Sequence, residues 1–77
     1  MTVEILTPDA SLFQGEASFV SLPGTDGSMG ILDNHAPLIT TLKAGDVLVR
    51  TSGGEQTFAV TGGTVEVAAN KVTILAA

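Results

Sequence analysis

Turn-forming residues recur at short, nearly even intervals along this chain, and their spacing limits the folds that it can adopt. Between them lie short segments rich in Val, Ile, Leu, Thr and Phe. Short segments of this composition are typical of β-strands, and turns every ~8–12 residues favour an all-β sandwich or barrel. The turn signals occupy residues 7–9, 14–15, 23–27, 33–37, 44–46, 52–55, 62–63 and 70.

Several of these segments alternate between apolar and polar residues with a period of two. Val3 and Ile5, for example, flank Glu4. This alternation predicts strands with one face in the core and the other in water. No segment carries a helical period over three turns, so we expect essentially no helix. The residues predicted to face the core are Val3, Ile5, Phe58, Val60, Val65, Val67, Val72 and Ile74.

Two segments, residues 19–22 and 47–49, do not alternate cleanly and are apolar on both faces. A centrally placed strand that is covered on both sides explains this pattern. The alternative is that one apolar face is reserved for a partner, because a sandwich of this size rarely covers both sides of its strands. The sequence leaves both explanations open.

Length, composition and charge exclude several classes of protein. With 77 residues, 44% of them apolar, the chain is long enough for one small core, so residues 1–77 are expected to form one domain. The formal net charge of −5, with Lys43, Arg50 and Lys71 as the bases, argues against nucleic acid and anionic lipid as partners. No apolar run approaches the ~20 residues of a membrane span, so no direct membrane insertion is expected.

Candidate chemistry is sparse. Asp33 and His35 could pair as a carboxylate and an imidazole, but no nucleophile motif accompanies them. One histidine and dispersed acids do not suggest a metal site, and the glycine-bearing loops lack the Lys-Ser/Thr of a phosphate-binding loop. We therefore predict no catalytic residues, no metal and no cofactor. His35 is expected to lie in a loop with its ring bonded to backbone, or alternatively at an interface.

Five segments of the chain together carry a more specific signal. Residues 30–38 read Gly-Ile-Leu-Asp-Asn-His-Ala-Pro-Leu, and residues 62–67 read Gly-Gly-Thr-Val-Glu-Val. The other segments are Leu-Phe-Gln-Gly-Glu-Ala at 12–17, Leu-Pro-Gly-Thr-Asp-Gly at 22–27 and Asn-Lys-Val-Thr-Ile-Leu-Ala at 70–76. In this order, over the whole chain, they resemble the epsilon subunit of F-type ATP synthases.

The resemblance implies an all-β fold, a flattened two-layer β-sandwich of about ten short strands, which agrees with the turn spacing. It identifies residues 1–77 with the N-terminal β-sandwich domain of that subunit. The implied role is that of a non-catalytic rotor subunit of the central stalk. It docks on the gamma subunit and the c ring, and so couples ion-driven rotation to ATP synthesis. The implied location is peripheral, on the cytoplasmic face of a bacterial inner membrane or the equivalent face of an organelle membrane.

The resemblance also implies two sets of contact residues. Many family members carry an acidic residue where this chain has Ser28, so backbone and apolar contacts are expected to replace a salt bridge to the ring. We expect this edge to be exposed in the isolated chain. The implied c-ring contacts are Ser28, Met29, Ile31 and His35, and the implied gamma contacts are Thr7, Pro8, Thr40, Thr41, Val60 and Thr61.

Typical bacterial members continue beyond the segment that corresponds to residues 74–76 into a pair of helices that in many cases restrains ATP hydrolysis. These helices have no counterpart in the 77 residues, so we expect the chain not to inhibit hydrolysis. A free-standing, ligand-binding β-sandwich of the same fold is the alternative function.

Overall fold

A computed structural model describes all 77 residues as an all-β fold, which confirms the predicted fold class and the expected lack of helix. Four strands are short, as the alternating segments predict, and a fifth short strand closes the chain. Two strands in the middle of the sequence are much longer. The strands are β1 (Thr2–Leu6), β2 (Ser11–Glu16), β3 (Phe19–Gly24), β4 (Gly27–Leu32), β5 (Leu38–Thr51), β6 (Gly54–Ala68) and β7 (Lys71–Ala76).

The seven strands form one hydrogen-bonded sheet in the order β2-β1-β7-β6-β5-β3-β4. Neighbouring strands are antiparallel, except that β1 and β7, from the two ends of the chain, pair in parallel with Val3 opposite Val72. Strands β2 and β4 are therefore the two edges of the sheet. The edge strand β4 carries three of the four expected c-ring contacts.

The two long strands turn this single sheet into two layers. Strand β6 has 15 residues and would span about 50 Å if it were straight. The longest dimension of the molecule is only 26 Å, so β5 and β6 must bend together. One half of the β5–β6 pair continues the layer of β1, β2 and β7, and the other half continues the layer of β3 and β4. The result is the predicted flattened two-layer sandwich.

The structure has seven strands, somewhat fewer than the about ten that the resemblance implies, and three of the turn signals in the sequence do not form turns. The glycines at residues 44–46 and 62–63 were interpreted as turns, whereas the chain passes through both as extended strand. The signal at residues 14–15 likewise lies inside β2. Glycine permits a bend in a strand as well as a turn between strands, and the sequence alone does not distinguish the two.

The bend also changes which residues of the long strands face inward. In β5, Leu42 is buried before the bend, whereas Val47 and Val49 are buried after it. The buried positions of β5 thus have even residue numbers before the bend and odd residue numbers after it, and a simple period of two does not predict this change. Sixteen buried residues from both layers form one core. It contains all the predicted core residues except Phe58, which is half-buried and packs against the core from its edge.

The two segments that are apolar on both faces lie next to each other in the sheet. Val20 and Val49 are paired and buried in the core. On the outer face, the Arg50 guanidinium carbon lies 5.0 Å from the centre of the Phe19 ring. Phe19 and Leu48 are half-buried, so this outer face is covered only in part by its own neighbours. Strand β3 has a paired neighbour on each side, but the expected cover over both of its faces is only partial, and a partner on the outer face stays a prediction.

Candidate functional site

The expected c-ring contacts on β4 alternate between the two faces of the strand. Ser28 points outward and is exposed, and Met29 is half-buried against the core. Ile31 is only 1% exposed and belongs to the core, opposite Val20. The expectation that Ile31 is exposed in the isolated chain was therefore wrong. It points inward because it lies two residues beyond Met29, and side chains two apart share a face of a strand.

His35 is exposed in the loop that joins β4 to β5. The loop begins with a turn in which the His35 N–H donates to the Leu32 carbonyl over 3.2 Å. The His35 ring is fixed by its own neighbour, because Nδ1 lies 2.8 Å from the Ala36 carbonyl oxygen. This confirms the expected arrangement of a loop histidine whose ring is bonded to backbone.

Ser28 lies near the start of β4 and His35 in the loop beyond its end, so most of the strand separates them. The Ser28 end adjoins β5 through the β3–β4 turn, where the Thr25 and Thr41 hydroxyls are 2.9 Å apart. At the other end, the Asn34 N–H donates to the Asn70 side chain. The expected c-ring contacts thus follow one edge of the molecule and do not converge on a compact patch.

The expected gamma contacts lie closer to one another than the expected c-ring contacts do. Thr41 lies in a row of side chains that crosses four neighbouring strands, from Leu6 through Leu75 and Thr64 to Thr41. Residues 7–8 directly follow Leu6, at the same end of this layer. Two hydrogen bonds bring residues 61–62 to that end as well. The Thr61 hydroxyl donates to the Ala77 carbonyl over 3.5 Å, and the Ala77 N–H donates to the Gly62 carbonyl over 3.1 Å.

Two of these gamma residues face the wrong way for a side-chain contact. Val60 is only 7% exposed and is part of the core. Thr40 is opposite the buried Val65, and it is half-buried, whereas its neighbour Thr41 is exposed. The exposed members of the set are Pro8, Thr41 and Thr61.

The structure shows three features near these surfaces that the sequence analysis missed. The Thr25–Thr41 contact ties the β3–β4 turn to β5, and the Asn70 side chain ties the β6–β7 turn to the His35 loop. Leu75, which is 52% exposed, places an apolar side chain at the centre of the row that leads to Thr41. The sequence signal for Asn70 was its position in a tight turn, where Asn tolerates a left-handed backbone.

The possible pair of Asp33 and His35 does not form. The Asp33 carboxylate accepts a hydrogen bond from the Met1 amino group, while the His35 ring contacts the Ala36 carbonyl. Beside Asp33 lies a shallow, open depression, which bears on the alternative of a ligand-binding sandwich. Four of its five lining residues are polar or charged, and the five are Glu16, Ala17, Ser18, Asp33 and Ser52. Ligand pockets typically enclose most of the ligand in a cleft, whereas this depression is largely open to solvent.

The folded-over sheet and its exposed edge define a small two-layer β-sandwich with surfaces suited to contact. Comparison with known sequences then gives the family. The family described as "ATP synthase, Delta/Epsilon chain, beta-sandwich domain" matches residues 1–77. The chain therefore belongs to this family, which is that of an accessory, non-catalytic subunit of ATP synthase.

Three relatives show the extent of the similarity. An ATP synthase epsilon chain from Pelotomaculum thermopropionicum is 47% identical over 74 residues, which cover 96% of this chain and 55% of the relative. One from Brevibacillus brevis is 46% identical over 77 residues, with 99% and 58% covered. A chloroplastic one from Tetradesmus obliquus is 46% identical over 76 residues, with 99% and 56% covered. The chain thus spans little more than half the length of these relatives.

Two solved structures share the fold. A chain of the Euglena gracilis mitochondrial ATP synthase, in a structure of OSCP, F1 and the c ring, aligns with a TM-score of 0.89 and 22% identity over 96% of this chain and 48% of its own. A chain from the central stalk and c ring of the Tetrahymena thermophila enzyme aligns with a TM-score of 0.83 and 22% identity, with 97% and 61% covered. The present chain has no helix that could cross a membrane.

Proposed function

We propose that residues 1–77 form one domain that docks the gamma subunit and the c ring of an ATP synthase to each other, and so helps couple rotation of the ring to ATP synthesis. The match of the whole chain to the delta/epsilon-chain β-sandwich family carries this proposal. The proposed role implies a peripheral location on the side of the membrane where the catalytic head lies.

The c-ring contact is assigned to the β4 edge, for a physical reason. An edge strand presents unpaired backbone N–H and C=O groups, which other strands, charges or prolines usually protect. Strand β4 contains no charged residue and no proline, and Ser28 and Gly30 are exposed along it. With Ser28 in the place of an acid, this edge offers hydroxyl and backbone groups, and the half-buried Met29 adds an apolar contact.

The gamma contact is assigned to a second surface, around Thr41, Thr61 and Leu75, which adjoins the Ser28 end of β4 through the Thr25–Thr41 contact. These residues lie at one end of the layer formed by β1, β2, β7 and half of the β5–β6 pair. Both assigned surfaces belong to one continuous sheet with a single core. A rigid body of this kind transmits force between two partners because neither surface moves independently of the other.

Binding measurements on purified partners test the assignment. The chain is immobilised, and its affinity for detergent-solubilised c ring and for purified gamma is measured separately. Ser28→Lys and Met29→Asp should weaken c-ring binding at least about tenfold, since each puts an unpaired charge into a desolvated contact, and the lysine is opposite in sign to the acid that many relatives carry at this position. Thr41→Arg and Thr61→Arg should do the same for gamma binding.

Thr57→Arg is the matched control, because Thr57 is exposed on β6 and belongs to neither surface. It should leave both affinities unchanged. Circular dichroism must show an intact fold for every variant, above all for Met29→Asp, whose side chain packs against the core. Wild-type protein that binds neither partner would refute the function. Normal c-ring binding by both β4 variants would remove this edge from the interface.

A further inference from the structure

The loop that carries His35 is held by a residue from a distant turn. The Asn34 N–H donates to the Asn70 side-chain oxygen over 2.8 Å, and the two residues are 36 positions apart. Asn70 lies in the tight turn between β6 and β7. Its backbone carbonyl, in turn, accepts from the Thr2 N–H over 3.1 Å. One residue therefore contacts both the His35 loop and the first strand.

This contact acts on the part of the loop that orients His35. Asn34 has a left-handed backbone, with φ at 61°, between Asp33 and His35. Asn adopts this conformation more readily than most residues, and a hydrogen bond that supports the backbone there favours it over the alternatives. The hydrogen bond from the Asn34 N–H supplies that support one residue before His35, whose ring then bonds to the Ala36 carbonyl.

We propose that Asn70 is a positioning residue whose side-chain oxygen fixes the Asn34 backbone and thereby presents His35 to the partner of this edge. The second half of this proposal rests on the proposed function, because it takes His35 to be a c-ring contact. The first half concerns the isolated chain and is independent of any partner.

Two substitutions separate this role from the ordinary role of Asn70 in its turn. Asn70 also has a left-handed backbone, with φ at 57°. Asn70→Gly keeps that backbone accessible and removes the side-chain oxygen. Asn70→Asp retains an oxygen acceptor and also tolerates the left-handed backbone. If Asn70 only had to form the β6–β7 turn, Gly and Asp would replace it equally well.

Amide hydrogen exchange on the ¹⁵N-labelled chain measures the first half directly. In Asn70→Gly the Asn34 amide should exchange roughly 2- to 10-fold faster, as expected for loss of one exposed hydrogen bond, and the His35 ring resonances should shift. In Asn70→Asp the exchange rate of the Asn34 amide and the His35 ring resonances should stay near their wild-type values. The Thr2 amide is the internal control, since its acceptor is the Asn70 backbone carbonyl, and its exchange should not change.

Unchanged Asn34 exchange in Asn70→Gly would overturn the proposal, as would an Asn70→Asp variant that behaves like Asn70→Gly. If the Thr2 amide also exchanges faster in Asn70→Gly, the effect belongs to the turn as a whole, and the proposal is overturned.

The second half is tested by c-ring affinity. Asn70→Gly should weaken binding roughly 2- to 10-fold, and Asn70→Asp should restore it. If Asn70→Gly frees the loop without changing c-ring affinity, then the presentation of His35 is refuted. The docking function itself is judged separately, by the Ser28 and Met29 variants, so the two proposals can fail independently.

Discussion

Gly63 is the position where the smallest possible side chain should have the largest effect on stability. It lies in β6 with φ at 140°, beside the end of β7. A Cβ built on Gly63 would lie 2.2 Å from the Leu75 carbonyl oxygen, about 1 Å inside an ordinary carbon–oxygen contact of ~3.3 Å. Gly62, its neighbour, also has a positive φ, of 152°, but its Cβ would meet nothing closer than the Leu42 oxygen at 3.5 Å.

This pair of glycines separates backbone strain from steric overlap. Each Gly→Ala change forces a side chain into a backbone region that is almost restricted to glycine, which costs about 1–3 kcal/mol. For Gly63→Ala the backbone of β7 must also move, and overpacking of this kind costs about 1–3 kcal/mol more. We therefore expect losses of about 1–3 kcal/mol for Gly62→Ala and about 2–6 kcal/mol for Gly63→Ala. A domain of 77 residues has a total stability of only ~4–12 kcal/mol.

Urea denaturation followed by circular dichroism measures both free energies of unfolding. The Gly63→Ala midpoint should fall well below that of Gly62→Ala, at a similar slope against urea. Equal midpoints for the two variants would show that the β7 backbone shifts without loss of stability, and would refute the argument from the contact with Leu75. A Gly63→Ala variant that does not fold at all would agree with the larger loss, provided that Gly62→Ala folds.

Further predictions concern the core, the surface and nucleotide binding. Ile74→Ala should destabilise the protein by about 2–5 kcal/mol in the same assay, because Ile74 is fully buried, whereas Leu75→Ala, at a neighbouring half-exposed leucine, should cost much less. Glu55→Gln breaks the 2.8 Å ion pair with Arg50, but both side chains are about half exposed, so the change in stability should stay below about 1 kcal/mol and shrink further in high salt. Calorimetry should detect no ATP binding tighter than about millimolar, because the chain is acidic and has no glycine-rich loop followed by Lys; a micromolar affinity would contradict this.

The core was largely predictable because it depends on a strict alternation that short strands preserve. Val3, Ile5, Val72 and Ile74 lie in two short, straight strands, and all four are fully buried as predicted. The prediction became less complete where strands are long. The face of β5 that points into the core changes between Leu42 and Val47, and no local sequence pattern indicates this change.

The contact surfaces were less predictable, for a related reason. A family resemblance supplies positions along the chain, whereas the burial of each side chain depends on the face of the strand to which it belongs. Ile31 and Val60 occupy expected contact positions and yet point into the core. The Asn70–Asn34 bond joins two turns that are distant in the sequence, and a single sequence contains no signal for such a pairing.

The bent β5–β6 hairpin has a consequence for how the domain comes apart. Most of the residues from Leu38 to Thr51 are paired with residues between Gly54 and Val67, and these same two strands run through both layers. Neither layer can melt alone, since opening either one breaks part of the pairing that supports the other. Slowly exchanging amides in β1 and in β3 should therefore report one common opening free energy, equal to that of global unfolding, and not two separate subglobal ones. Such a domain has no partially unfolded state in which one layer remains attached to a partner while the other opens.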